Sequence, residues 1–297
     1  MLPMLLPLKP RLMHLIRSAL LAAATVLPLA GCAHQGVFVE RSMLLGDARY
    51  RYRVYLPRHY TALRRWPVIL FLHGSGERGE DNLRQITVGL GPALREYPGR
   101  YRCIVVFPQC RFGEEWYGPM EVQAMAALQM AIREFHGDRA RVCVTGVSMG
   151  GAGAWYMARQ RNVFAAVVPV AGEVVRQGDE PFPTDPPPDL MAFLGAADPF
   201  AALSRAISPT PVWAFHGVDD DVIPVTESRR MIAALRDAND PARYTEYPGT
   251  GHADSWDKAY SDPALPEWIL SQRMTAAPAA APKAAAAGRK NSAAPSR

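Results

Sequence analysis

The 297-residue chain reads as one α/β domain built on a mostly parallel sheet with helices on both faces. Three observations carry that reading. Short apolar runs rich in valine, isoleucine and aromatic residues recur through the middle of the chain, as strands buried on both faces require. Segments of helical character lie between them, the connections that parallel strands need. The length also fits one α/β domain of about 200–250 residues with a tail at each end.

The elements follow in order. "YRYRVYLP" (Tyr50–Pro57) alternates polar and apolar residues as an early, half-exposed strand would. "VILFLHG" (Val68–Gly74) and "CIVVFP" (Cys103–Pro108) are continuous apolar runs and read as buried strands. A helix is predicted over Val122–Phe135, followed by the strand "RVCVTG". "FAAVVPVAG" (Phe164–Gly172), "PVWAFHG" (Pro211–Gly217) and "ARYTEYPG" (Ala242–Gly249) complete the strands, with a helix over "VTESRRMIAALRDA" before the last. Between Glu173 and Thr210 the pattern breaks into a proline-rich insertion that carries a short helical stretch, "DPFAALSRAI". An excursion of that length is a lid over a binding site or a surface loop. Phe182, Leu190, Met191, Phe193, Leu194 and Phe200 would give a lid its apolar face, and Pro181, Pro183 and Pro186 to Pro188 its stiffness.

Both ends read as lying outside the domain. Met1–Gly31 has no acidic residue, and Lys9, Arg11 and Arg17 precede an apolar run from Ser18 to Ala30. Thirteen residues fall short of the roughly 20 that cross a bilayer, so residues 1–31 read as a secretory signal. The run ends in Leu29-Ala30-Gly31-Cys32, which resembles a bacterial lipobox and implies lipidation of Cys32; cleavage nearby without lipidation is the alternative. Residues 32–45 are then a tether, 46–273 the domain, and 274–297, rich in alanine and proline, a tail with nothing large to bury. The expected location is the bacterial envelope, anchored to a membrane and facing the periplasm or exterior.

Seven of the 33 basic residues lie in those two ends, which leaves 26 against 28 acidic side chains. The domain is therefore slightly acidic, and no nucleic-acid partner is expected. Cys103 and Cys110 flank one strand, about 20 Å apart if it is extended, far beyond disulfide reach. With Cys143 they read as free buried thiols. No Cys/His cluster indicates a metal, and no cofactor is expected.

The chemistry-bearing stretch is "RVCVTGVSMGGAGAW" (Arg141–Trp155). Gly146-Val147-Ser148-Met149-Gly150 is G-x-S-x-G, placed between a strand and a helix. That setting makes a sharp turn that lifts the serine hydroxyl above the sheet, with glycines where a Cβ would strike neighbouring backbone. A serine hydroxyl needs a base, and the base an orienting acid. Two later strand-end loops supply them: "FHGVDDDVIPV" offers Asp219, Asp220 and Asp221, and "PGTGHADSW" offers His252. His216 ends its strand too early to be the base, and His73 reads as a loop-ordering residue. A developing oxyanion needs two N–H donors. Met149 supplies one, and "HGSGERGEDN" the other, from Ser75 or, second, Gly76.

These segments, with "VVFPQC" followed by "EEWYG", run in an order that resembles the α/β-hydrolase superfamily over Val68–Tyr260, and within it bacterial predicted peptidases, carboxylesterases and feruloyl-esterase-like enzymes. The resemblance implies an α/β-hydrolase fold and a Ser-Asp-His triad cleaving carboxylic esters. The substrate would be a small or polysaccharide-linked ester. It places the acid on Asp220, with Val222, Ile223 and Pro224 after it, and Gly76, Gln109 and Trp116 among the substrate-binding residues. An acyltransferase or a peptidase would use the same triad. A non-catalytic surface-binding lipoprotein would not need the complete set.

Overall fold

The computed structural model describes residues 35–176 and 182–274. The expected signal segment 1–31, Cys32, Pro181 and the residues from 275 onward lie outside them.

Eight strands form one sheet among the described residues, in the order β1-β2-β4-β3-β5-β6-β7-β8. They are β1 (Val37–Leu45), β2 (Ala48–Leu56), β3 (Trp66–Leu72), β4 (Ile104–Pro108), β5 (Gly137–Val147), β6 (Ala166–Val170), β7 (Val212–Gly217) and β8 (Ala242–Tyr247). From β4 through β8 neighbouring strands are parallel, whereas β1 and β2 are antiparallel additions at one edge. This is the α/β-hydrolase fold. The eight helices are α1 (Leu90–Glu96), α2 (Pro119–Glu134), α3 (Met149–Met157), α4 (Pro188–Leu194), α5 (Pro199–Ile207), α6 (Thr226–Asp237), α7 (His252–Ser261) and α8 (Ala264–Ser271).

Two cores sandwich the sheet. Val68, Leu70 and Leu72 of β3 face one side, where α2 to α6 pack. Ile69 and Phe71 of the same strand face the other, with α1, α7 and α8. A strand with both faces covered has no place for a polar residue, which is why "VILFL" is unbroken. Cys103, Cys110 and Cys143 are free and buried. Burial pushes the Cys110 and Cys143 thiols up to about 12, so both stay protonated and inert.

Two expectations need correction. Residues 37–45 are not a tether: they form β1, paired with β2 from Val37 opposite Leu56 to Leu45 opposite Ala48, around a two-residue turn with Gly46 at φ 58°. β1 is an edge strand with Glu40, Ser42 and Leu44 exposed and only Met43 fully buried, so its apolar signal is one-sided and weak. Several of the apolar residues expected to give the insertion a substrate-facing surface are core residues instead. Leu190 and Phe193 of α4 and Phe200 of α5 are buried in the core. Phe193 packs on Tyr156 of α3, and Arg159 of the segment after α3 holds Asp189 at 2.6 Å. Leu190, Phe193 and Phe200 cover the flank of α3 and α6, whereas Phe182 packs edge-on against Tyr117 of the cleft wall and Met191 is exposed.

A chain trimmed to begin at Gly46 removes β1 and uncovers the edge of β2. It should be less stable than one beginning at Gln35 by on the order of 3 kcal/mol, from the burial of Met43 and its partly buried neighbours. Calorimetry should show a Tm lower by about 10 °C; equal values would mean β1 adds nothing.

Candidate active site

Ser148 sits between the end of β5 and the start of α3 with φ 54° and ψ −121°, a conformation that costs a non-glycine residue on the order of 1–3 kcal/mol. Tertiary contacts hold it there. Its N–H donates to the Val170 carbonyl of β6 at 3.0 Å. The first turn of α3 rests on backbone: a Cβ at Gly150 would overlap the carbonyl groups of Leu72 and His73, and one at Gly146 those of Gly150 and Leu72. Only glycine at both positions permits the approach.

The loops after β7 and β8 bring two partners to the serine. His252, the first residue of α7, has Nε2 2.8 Å from Ser148 Oγ and Nδ1 2.7 Å from Asp220 Oδ2. Asp219 and Asp221 are exposed to either side, while the Asp220 side chain is fully enclosed. Asp220 Oδ1 accepts the N–H groups of Val222 at 3.0 Å and Ile223 at 2.8 Å, an arrangement local to the loop. Burial opposes ionisation of this carboxyl but is outweighed by hydrogen bonds from His216, His252 and the two N–H groups, which hold it well below the usual carboxylate range. His252 Nδ1 is therefore the donor to a permanent carboxylate, which leaves Nε2 to accept the serine proton.

Two residues at the starts of helical turns border the same space. Met149 is the first residue of α3 and Ser75 the first of a 3-10 turn, Ser75–Glu77, so neither N–H has an acceptor within its helix. Both residues border the cleft that holds Ser148. The Ser75 loop is anchored from below. His73 Nδ1 donates to the Gly74 carbonyl at 2.6 Å, and its Nε2 accepts the Cys110 N–H at 3.0 Å. Trp116 Nε1 donates to the His73 carbonyl at 2.9 Å.

The cleft has a volume of about 330 Å³. Trp116, Tyr117, Tyr156 and Ile223 form its apolar walls, and Arg78, Glu115 and Glu173 add charge. Of the three expected substrate-binding residues only Trp116 borders it. Gln109 lies behind the Ser75 loop, accepts the Asn82 N–H at 2.7 Å and donates to the Glu77 carbonyl and to Asp81, so its amide is spent on loop shape. Gly76 does not border the cleft, and a Cβ built on it would meet nothing within 4 Å. Arg78, Tyr156 and Glu173 have no sequence signature because each reaches the cleft from a different segment. His216 is the other residue missed. It is wholly buried beside Asp220, and its place four residues before the acid was the available signal.

Burial lowers the His73 imidazole to about 4. Between pH 6.5 and 4 the unfolded chain therefore takes up a proton that the folded protein refuses, and stability should fall by on the order of 3 kcal/mol across that window, with no further loss from this group below it. The His73 ring resonances should titrate near pH 4; titration near 6.5 would overturn the assignment.

With this geometry in place, the likeness to known proteins is informative. Residues 122–270, which span α2 to α8 and contain Ser148, Asp220 and His252, match the prolyl oligopeptidase family. An uncharacterized secreted protein of Arthroderma benhamiae is 28% identical over 213 residues, 63% of this chain and 21% of its own. The chain spans less than half the length of the curated relatives it matches. The crystal structure of a thermostable esterase superposes with a TM-score of 0.65 at 26% identity, covering 80% of this chain and 63% of that one. S-formylglutathione hydrolase from Staphylococcus aureus gives 0.60 at 17%, covering 80% and 100%, a likeness of fold alone. The chain belongs to the prolyl oligopeptidase family and has the α/β-hydrolase fold.

Proposed function

We propose that the protein cleaves carboxylic esters through an acyl-enzyme on Ser148. The observation that carries this reading is the unbroken run from Ser148 Oγ through His252 to Asp220, at 2.8 and 2.7 Å, opening on a cleft beside two N–H donors. Ser148 Oγ attacks the ester carbonyl as its proton passes to His252 Nε2. The carbonyl oxygen gains negative charge and is received by the N–H groups of Met149 and Ser75. His252 then protonates the departing alcohol, and water hydrolyses the acyl-enzyme by the same route. Resemblance to the thermostable esterase supports an ester substrate. Family membership favours a second reading, cleavage of peptide bonds.

Ser148→Ala and His252→Ala should each lower kcat on p-nitrophenyl esters by on the order of 10⁶, and Asp220→Asn by on the order of 10⁴. Asp219→Asn and Asp221→Asn should leave turnover nearly unchanged; a larger loss at either would move the acid along the loop. The same assays on aminoacyl anilides separate the two readings, since faster anilide cleavage at matched enzyme would replace the ester reading with the peptidase one.

We also propose that Cys32 is lipidated and holds the enzyme to an envelope membrane. Attachment through more than one acyl chain is stable where a single chain is marginal. Cys32→Ser should shift the protein to the soluble periplasmic fraction or block its processing. Recovery of the unaltered protein in soluble form with an unmodified N-terminus would sink the proposal.

A further inference from the structure

His216 lies at the end of β7, wholly buried, and is used by no step above. Its Nε2 is 3.0 Å from the Ile223 carbonyl oxygen and 3.2 Å from Asp220 Oδ2. A carbonyl can only accept, so Nε2 carries the proton and shares it between the two oxygens. Nδ1 is then a lone pair, and the buried Ser228 hydroxyl of α6 donates to it at 2.7 Å. The Ile223 carbonyl thereby selects the tautomer, and the serine hydroxyl, able to donate or accept, fits itself to it.

We infer that His216 is a positioning residue for the proposed hydrolysis, tying the Asp220 carboxylate to the sheet so that Oδ2 stays directed at His252. The inference rests on the triad reading. Asp220 Oδ1 accepts two hydrogen bonds, Oδ2 accepts one from His252, and His216 Nε2 stands 3.2 Å from that same Oδ2. The N–H groups of Val222 and Ile223 belong to its own loop and fix the carboxylate only relative to that loop. His252 is the group to be positioned. Among these donors His216 alone comes from a strand, in the same sheet as the strand that leads into Ser148. By also engaging the Ile223 carbonyl it holds the loop as well as the carboxylate. With His216 and Ser228 both buried, water has no access to replace them. The terminal torsion of an aspartate is broad, so a carboxylate lacking this tie can turn without crossing a high barrier.

The test compares His216→Leu, which fills the space without a donor, with His216→Gln, whose amide restores a donor near Nε2. His216→Leu should lower kcat by about 30- to 100-fold with KM changed by about twofold or less, and His216→Gln should recover to within about fivefold of wild type. The low-field proton resonance of the His252–Asp220 hydrogen bond should move or broaden in His216→Leu and return in His216→Gln. Thermal unfolding of each variant reports any loss of fold separately. An unmoved resonance with unchanged kcat, or equal losses in the two variants, overturns the inference. A wild-type protein that turns over no ester or anilide and whose Ser148 takes up no fluorophosphonate overturns the hydrolase reading instead, and the resonance alone then judges the role of His216.

Discussion

The glycines on either side of Ser148 let the first turn of α3 rest directly on the carbonyl ends of β3, with no side chain between the two backbones. The geometry of the cleft follows from that contact. It sets how far the serine stands above the sheet, and it puts Met149, whose N–H has no acceptor within the helix, at the border of the same cleft. It also brings the start of α3 close to the loop that follows β3, where Ser75 lies. A strained serine persists there because the surrounding structure over-determines it: the N–H of Ser148 is held by β6, and the helix cannot retreat without losing its packing on both strands.

Rigidity decreases outward from this point. Asp220 and His252 stand on loops, yet each is tied back to regular structure, His252 as the first residue of α7 and Asp220 through His216 of β7. The Ser75 loop is tied more heavily, since His73, Gln109 and Trp116 all spend their polar atoms on it. A neutral, buried His73 suits this work, because it donates at one nitrogen and accepts at the other, and a protonated ring would leave the Cys110 N–H without an acceptor. The charged side chains on the cleft wall are paired as well. Glu115 is held by Arg176 at 3.0 Å and approached by Arg78 at 3.7 Å, so the wall presents a neutralised cluster.

Much of this was legible in one dimension wherever burial is uniform or a backbone conformation demands a residue type. Continuous apolar runs marked β3, β4 and β6 because both faces of those strands are covered. G-x-S-x-G marked Ser148 because no residue but glycine fits beside it. β1 reads as a tether in the sequence because an edge strand buries one face only, and its middle residues, Glu40 to Ser42, look like linker. The apolar residues of the insertion fit a substrate-facing surface equally well in one dimension, yet its buried phenylalanines Phe193 and Phe200 serve the flank of α3 and α6. Composition marks such residues for burial without saying what they are buried against.

The sequence by itself determined the fold class, the strained serine and the order in which acid and base follow it, since each depends on local periodicity, glycine geometry or chain order. It narrowed the acid to three adjacent aspartates. The family resemblance placed it on Asp220, and the tertiary structure supplied the physical reason, by enclosing Asp220 beside His252 and His216 and leaving Asp219 and Asp221 in water. The tertiary structure alone decided that Gln109 shapes a loop while Trp116 borders the cleft, and that Arg78, Tyr156 and Glu173 share one wall. The physical reason is the same in each case. A hydrogen bond across dozens of residues is fixed by the packing of strands and helices between its partners, and that packing is a property of the assembled sheet rather than of any stretch of chain.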